Sequence, residues 1–259
     1  MFVSQAFVLS SVLFAAAWAT PTGVVPDTLV ARAASCTFPS PSTTSSLPKA
    51  MTIAAGKTYD GKNVRFDRGA GACGGQTESG DSAAVFLLES GATLENVVIG
   101  ANQAEGIHCL GSCTLKNGWW VLVWFEDVCE DAITIKQSSG TSTITGGGAK
   151  HADDKVVQHN GGGNVVIDSF CVQDFGKLYR SCGNCKSQTK RTVTISNVIA
   201  SNGKLLAGVN SNYGDVATIK SSTITQTDVK SVCDTFKGND SGAEPTELTK
   251  NTKNANCAF

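Results

Sequence analysis

Short runs of apolar and β-branched residues recur along the chain, each closed by Gly, Asn or Ser. They fall at 51–54, 83–88, 93–99, 113–116, 132–136, 142–145, 164–167, 192–195 and 216–219. Such runs, bounded by turn formers, predict strands. No stretch carries a 3.6-residue apolar period with caps, so amphipathic helices are not expected. The comparable apolar positions Leu94, Leu115, Ile144, Val166, Ile195 and Ile219 are separated by 21, 29, 22, 29 and 24 residues. Sandwich strands return every ~8–12 residues. A coil of about 22 residues with two or three short strands fits a solenoid instead. The pattern predicts an all-β fold, a parallel β-helix of roughly eight coils. Asn96, Asn117 and Asn197 follow the strand by two residues, where Asn tolerates a left-handed corner.

One interval is long for a local reason. The segment GWWVL at 118–122 follows the turn at Asn117, and removing it shortens a 29-residue interval to 24. It reads as an inserted bulge or a splicing variant. Buried, it would shift the register of a strand beside the candidate site, and a one-residue slip turns every side chain to the other face.

Coil stacking changes how the charged residues are read. Strands in successive coils lie about 4.8 Å apart, so residues one coil apart in sequence become neighbours. A charged series returns through Glu105, Glu130–Asp131, Asp154–Lys155, Lys177 and Arg180. Stacked, it forms one stripe, acidic at one end and basic at the other. The acids Glu78, Glu105, Glu130 and Asp131 offer the oxygen ligands that calcium prefers; a solvated acidic edge is the plain alternative. Glu126 and Asp127 lie just upstream, but side chains alternate along a strand, which keeps Glu126, Asp127, Glu130 and Asp131 from all sharing a face. The basic group is Lys155, Lys177 and Arg180, with Lys136 nearby. Its plain alternative is surface pairing with Asp153, Asp154 or Asp174, worth ~0–1 kcal/mol each. Calcium beside a cationic cluster suits a polyanionic carbohydrate with an acidic C–H next to each carboxylate. The ion would act as Lewis acid, and a lysine whose pKa is lowered by neighbouring cations would act as base.

Composition narrows the setting. Net charge is −1 and charged residues make up 17%, against an average of roughly 25%, so bulk attraction to nucleic acid or membrane is excluded. Residues 6–19, AFVLSSVLFAAAWA, read as a secretory signal with an A-x-A cleavage site, too short to span a membrane. The expected organisation is a signal peptide at 1–19, a pro-segment or linker at 20–48 with Arg32 as a processing point, and one catalytic domain at 49–259. Ten cysteines in an exported chain predict disulfides. Cys109 with Cys113, and Cys182 with Cys185, are close enough for local bridges. Half a zinc site at Cys182–Cys185 is the rival, and the three histidines are not placed to complete it. The sequon Asn239-Asp240-Ser241 agrees with export. The expected state is an extracellular monomer.

HADDKVVQHNGGG, VCEDAITIKQ, EGIHCLGSCTLKN and VQDFGKLYRSCGNCK resemble the compact fungal and bacterial pectate lyases of polysaccharide lyase family 3, over residues 52–237. The resemblance implies a right-handed β-helix, secretion, calcium dependence and β-elimination of α-1,4-polygalacturonate. It places Glu78, Glu105, Glu130 and Asp131 at the calcium site, although some members have Asp where Glu105 stands. Lys155 matches the base, Lys177 and Arg180 match substrate-binding and charge-stabilising positions, and Lys136 matches a further active-site lysine. The departure from the family pattern is the 118–122 segment. Two rivals remain at this level. One is a β-helical glycoside hydrolase using Glu130 and Asp131 as acid and base. The other is a pectin-binding solenoid without catalysis.

Overall fold

The computed structural model describes residues 1–2, 33–116 and 123–259. The signal peptide, most of the pro-segment, Asn117 and the GWWVL segment lie outside the described residues. Chain contacts separate residues 1–31 from a single body at 32–259, which is the subject below.

Three parallel ladders run the length of this body. The first stacks Thr44–Ser46 on 65–67, 97–99, Val123–Phe125, 148–150, 171–173, 199–201 and 225–227. The second stacks 58–60 on 93–95, Thr114–Lys116, Thr141–Thr145, Gly163–Asp168, Arg191–Ser196, Val216–Ile219 and Cys257–Ala258. The third stacks Met51–Ile53 on Ala84–Leu88, Glu105–Cys109, Asp131–Ile135, 155–159, 177–181, 205–210 and 231–237. The parallel β-helix expected from sequence is therefore present, complete coils running from 51 to 227 with a partial one at each end. Parallel crossovers of this kind are right-handed as a rule. Among the described residues there is no α-helix, only three single 3-10 turns, and no helix long and apolar enough to cross a membrane.

The interior is a set of side-chain stacks. In the second ladder Leu94, Leu115, Ile144, Ile167, Ile195 and Ile219 lie in register and are buried. The expectation from sequence used Val166 in this stack. Val166 instead pairs with Thr143 and faces outward beside the buried Ile167, because the coil turn before it is one residue longer than assumed. Corners are made by residues in the left-handed region. Asn96 and Asn197 have φ of 56° and 53°, and Ser169 takes the same role at 57°. At another corner His151, Asp174, Asn202 and Asp228, one per coil, all have positive φ.

The domain begins earlier than the expected boundary at residue 49. Thr44–Ser46 pairs into the first ladder, Cys36 is bonded to Cys171, and Phe38 packs on buried Trp124. The segment from residue 35 is thus part of the body rather than a linker. All ten cysteines pair: Cys36–Cys171, Cys73–Cys129, Cys109–Cys113, Cys182–Cys185 and Cys233–Cys257. Both expected local bridges are there, and no thiolate is left for zinc.

Candidate active site

The third ladder brings the charged series into literal register. Glu105 pairs with Asp131, Asp131 with Lys155, and Lys155 with Lys177. Acid, acid, lysine and lysine therefore stand on consecutive coils at one position of the strand. Glu105, Asp131 and Lys155 are all buried, so their charges interact in a poorly screened setting.

Glu130, one residue before the ladder position, is also buried. Glu78 comes from a long loop between the first two third-ladder strands and is 70% exposed. That loop is clasped to the ladder by Cys73–Cys129 and by Gln76, whose side-chain amide donates to the Cys129 carbonyl. Ser79 N–H donates to Glu105 Oε1 at 3.0 Å. The clasp brings one oxygen each of Glu78, Glu105 and Glu130 within 4.8 Å of one another. Glu126 and Asp127 go elsewhere: Glu126 pairs with Arg65 at 2.7 Å, and Asp127 lies 3.6 Å from His151.

Lys155 Nζ sits at the join of the two halves. It lies 2.7 Å from Asp154, 3.4 Å from Glu130, 3.5 Å from Asp131 and 3.5 Å from Glu78. Burial pushes the ammonium pKa down, but Asp131, Asp154 and Glu130 outweigh it and hold Lys155 above its ordinary value. In the ion-free protein this runs against the expectation of a lysine lowered by neighbouring cations: Lys177, one coil on, pairs with Asp154. Burial pushes Glu130 up to about 7, with Glu78 and Glu105 adding to the effect and Lys155 opposing it. Burial also raises Asp131 well above the usual carboxylate range. Glu130 Oε2 and Asp131 Oδ1 are buried without a hydrogen-bond partner. Buried, crowded, partly orphaned carboxylates of this kind suit a hard divalent cation, and the donor set fits calcium.

Two further expected residues stand apart from the ladder. Lys136 Nζ donates to Asp81 at 2.5 Å. Asp81 also contacts His108 Nδ1 at 2.7 Å, and His108 Nε2 lies 3.0 Å from Glu105, so Lys136 reaches the acids only through this relay. Arg180 is buried, not presented on the stripe. Its Nη1 donates to the carbonyl of Ser181 and to Asn210 Oδ1, its guanidinium lies 4.1 Å over the Phe236 ring, and its Nη2 is buried with no partner. Burial lowers its pKa to about 10. Asp81 and His108 were missed by sequence reasoning, and Asp154 was placed in the charged series but given no role beyond surface pairing. The adjacency of Asp154 to Lys155 was the one available signal.

A profile of the pectate lyase family matches residues 35–243. The chain belongs to the pectate lyase family. Among relatives, it is 53% identical over 229 residues to a probable pectate lyase D of Neosartorya fischeri, covering 88% of this chain and 92% of that one. It is 54% identical over 210 residues to pectate lyase E of Emericella nidulans, covering 80% and 79%. Among solved structures, the catalytic domain of pectate lyase PelI from Erwinia chrysanthemi matches with a TM-score of 0.65 at 32% identity, covering 84% of this chain and 94% of that domain. PelI in complex with tetragalacturonic acid matches with a TM-score of 0.64 at 34% identity, covering 80% of this chain and 66% of that one. These pectate lyases are polysaccharide lyases, and their class displaces both the hydrolase and the binding-only rivals. Their shared fold agrees with the family resemblance carried by the HADDK and FGKLYR segments.

Proposed function

We propose that this protein is a secreted, monomeric, calcium-dependent lyase that cleaves α-1,4-polygalacturonate by β-elimination, leaving an unsaturated sugar end. The observation that carries this reading is the register of Glu105, Asp131, Lys155 and Lys177 on consecutive coils. Glu78, Glu105, Glu130 and Asp131 would hold the calcium. Bound there, it would neutralise carboxylate charge, engage a galacturonate carboxylate and stabilise the charge that develops on removal of the C5 proton.

Lys155 is the base. Its Nζ lies where the acidic and basic halves meet, so a sugar carboxylate held beside the acids by their cation would set the adjacent C5–H against it. Lys155 must be neutral to act, and the carboxylates around it oppose that. The rate therefore rises with pH above neutrality. Lys177 neutralises a substrate carboxylate once Asp154 releases it. Arg180, whose guanidinium is buried behind the ladder, stabilises negative charge at the site through its field rather than by direct contact. Lys136 sets Asp81 and, through His108, the position of Glu105.

The test is ultraviolet detection of unsaturated product from polygalacturonate, with added calcium or with chelator. Lys155→Ala is expected to lower kcat by about 10²–10⁴-fold, the range for losing a general base, with thermal unfolding in calcium used to confirm that the variant is folded at the assay temperature. Turnover undiminished by that substitution, or a rate that falls from pH 6 to pH 9, would rule out Lys155 as the base.

A further inference from the structure

The ladder does not end at Lys177. Lys177 pairs with Leu205, and Leu205 with Ser231. The residues just before these three are Gly176, Lys204 and Lys230. The flanking pairs Phe175–Gly203 and Gly203–Val229 put them on one row. Lys204 and Lys230 therefore lie one and two coils past Lys177, about 5 and 10 Å along the axis. Both are exposed. Lys136, Lys155 and Lys177 all pair with carboxylates, whereas Lys204 and Lys230 form no salt bridge among the described residues.

These two lysines line a groove of about 310 Å³ together with Gly176, Gly203, Asn202 and Asp228. Its floor is kept low by packing. A Cβ at 176 would sit 2.4 Å from the backbone oxygens of Asp153 and Asp154, and one at 203 would sit 2.1 Å from the Phe175 ring. Asn202 and Asp228 stand two residues before each lysine and take left-handed corners at φ 54°. Each coil thus offers the same pair, an amide or carboxylate at the corner and an ammonium two residues on. The remaining ionic groups of the groove are His151, Asp153 and Asp174. Asp174 accepts from Asn202 and lies 3.6 Å from His151, so part of its charge is already engaged.

We infer that this groove is an accessory subsite for uronate residues of the same polysaccharide chain, lying beyond those at the ladder. Lys204 and Lys230 take sugar carboxylates, and Asn202 and Asp228 take sugar hydroxyls. A ring with one carboxylate and neighbouring hydroxyls matches a cation and an acceptor repeated coil by coil. Ammonium–carboxylate hydrogen bonds supply the affinity. The inference rests on reading the ladder as a galacturonan site, and it is the two ammonium groups without salt bridges, not the net charge of the groove, that face the continuation of that chain.

The test compares long polygalacturonate with trigalacturonate for the wild type and the double variant Lys204→Ala/Lys230→Ala. Both changes are at exposed positions, and equal melting temperatures check folding. The double variant is expected to raise KM for the polymer about tenfold, the scale of losing one to two charge-assisted contacts. Its kcat should hold, and kinetics on the trimer should not change. The arginine pair Lys204→Arg/Lys230→Arg should restore most of the loss, and the dependence on these residues should fade on highly methyl-esterified polymer. An unchanged polymer KM, or an equal rise on the trimer, would overturn the subsite. If the wild type yields no unsaturated product at all, the lyase reading of the ladder fails. The groove is then judged by calorimetric binding of long and short oligogalacturonates to the same proteins: loss confined to long chains supports it, and equal binding by both proteins refutes it.

Discussion

Four carboxylates surround one ammonium, and the balance among them governs the site at the scale of single residues. Glu130 is the sharpest case because burial raises its pKa to about 7. Its folded pKa lies above its unfolded value, so between about 4.5 and 7 the folded protein binds a proton that the unfolded chain releases. Stability of the ion-free protein should therefore fall as pH rises through that window. Glu130→Gln should flatten this slope in chelator while weakening calcium binding at least tenfold. Thermal unfolding against pH, with and without calcium, checks both outcomes. His159 runs the other way. It is buried between Tyr179 Oη and the Gly162 carbonyl, and burial lowers its pKa to about 4. The unfolded chain takes up the proton first, so this contribution to stability is lost as pH falls from about 6.5 to 4. His159→Gln should remove that acid-side loss in the same melting series.

At the scale of elements, the second ladder was readable, and the third only in part, through the runs at 51–54, 83–88 and 132–136. The runs at 93–99 and 216–219 match strands residue for residue, because Leu94 and Ile219 alternate cleanly with polar neighbours. Strands such as Gly148–His159 and Cys171–Ser181 were missed. Each continues through a corner with a left-handed residue inside it, His151 or Asp174. Each also interleaves Lys and Asp, some of them buried, among its apolar residues, which breaks the alternation. The chemistry carried by these two strands therefore hides them, while Asp131–Ile135 beside them was legible as the run 132–136. The spacing of the charges still revealed which of them align, since a coil period survives loss of the strand signal. Of the groups supplied by the long loop, Glu78 was grouped with the acids and Asp81 was beyond reach: nothing in the spacing of either says that Cys73–Cys129 folds the loop over Glu105. Cutting that clasp with Cys73→Ser should raise the calcium Kd about tenfold, well beyond any fall in melting temperature, because the loop carries one acid and frames another. Calcium titration beside thermal unfolding separates the two effects.

The whole molecule is a pile of similar coils whose ends need closing. At the far end Cys257–Ala258 completes the second ladder and Cys233–Cys257 ties it to the third. At the near end Thr44–Ser46 adds a strand, and Cys36–Cys171 reaches across several coils to pin the arm. Phe38 lies on Trp124 with Lys150 above it. A chain starting at residue 49 loses all three contacts, and removing a disulfide that closes so long a loop costs about 2–5 kcal/mol. Such a truncation should unfold at distinctly lower denaturant than a chain starting at residue 33. Equal midpoints would show that the arm is decoration.

The Glu78 loop has one more consequence, and it concerns when the protein becomes competent. Its acid is held against the others in part by a sulfur–sulfur bond made after synthesis. A freshly made chain in a reducing compartment would own every ionic side chain and grip the ion more loosely. Maturation by oxidation would then tie full strength to the place where the protein is exported rather than where it is built.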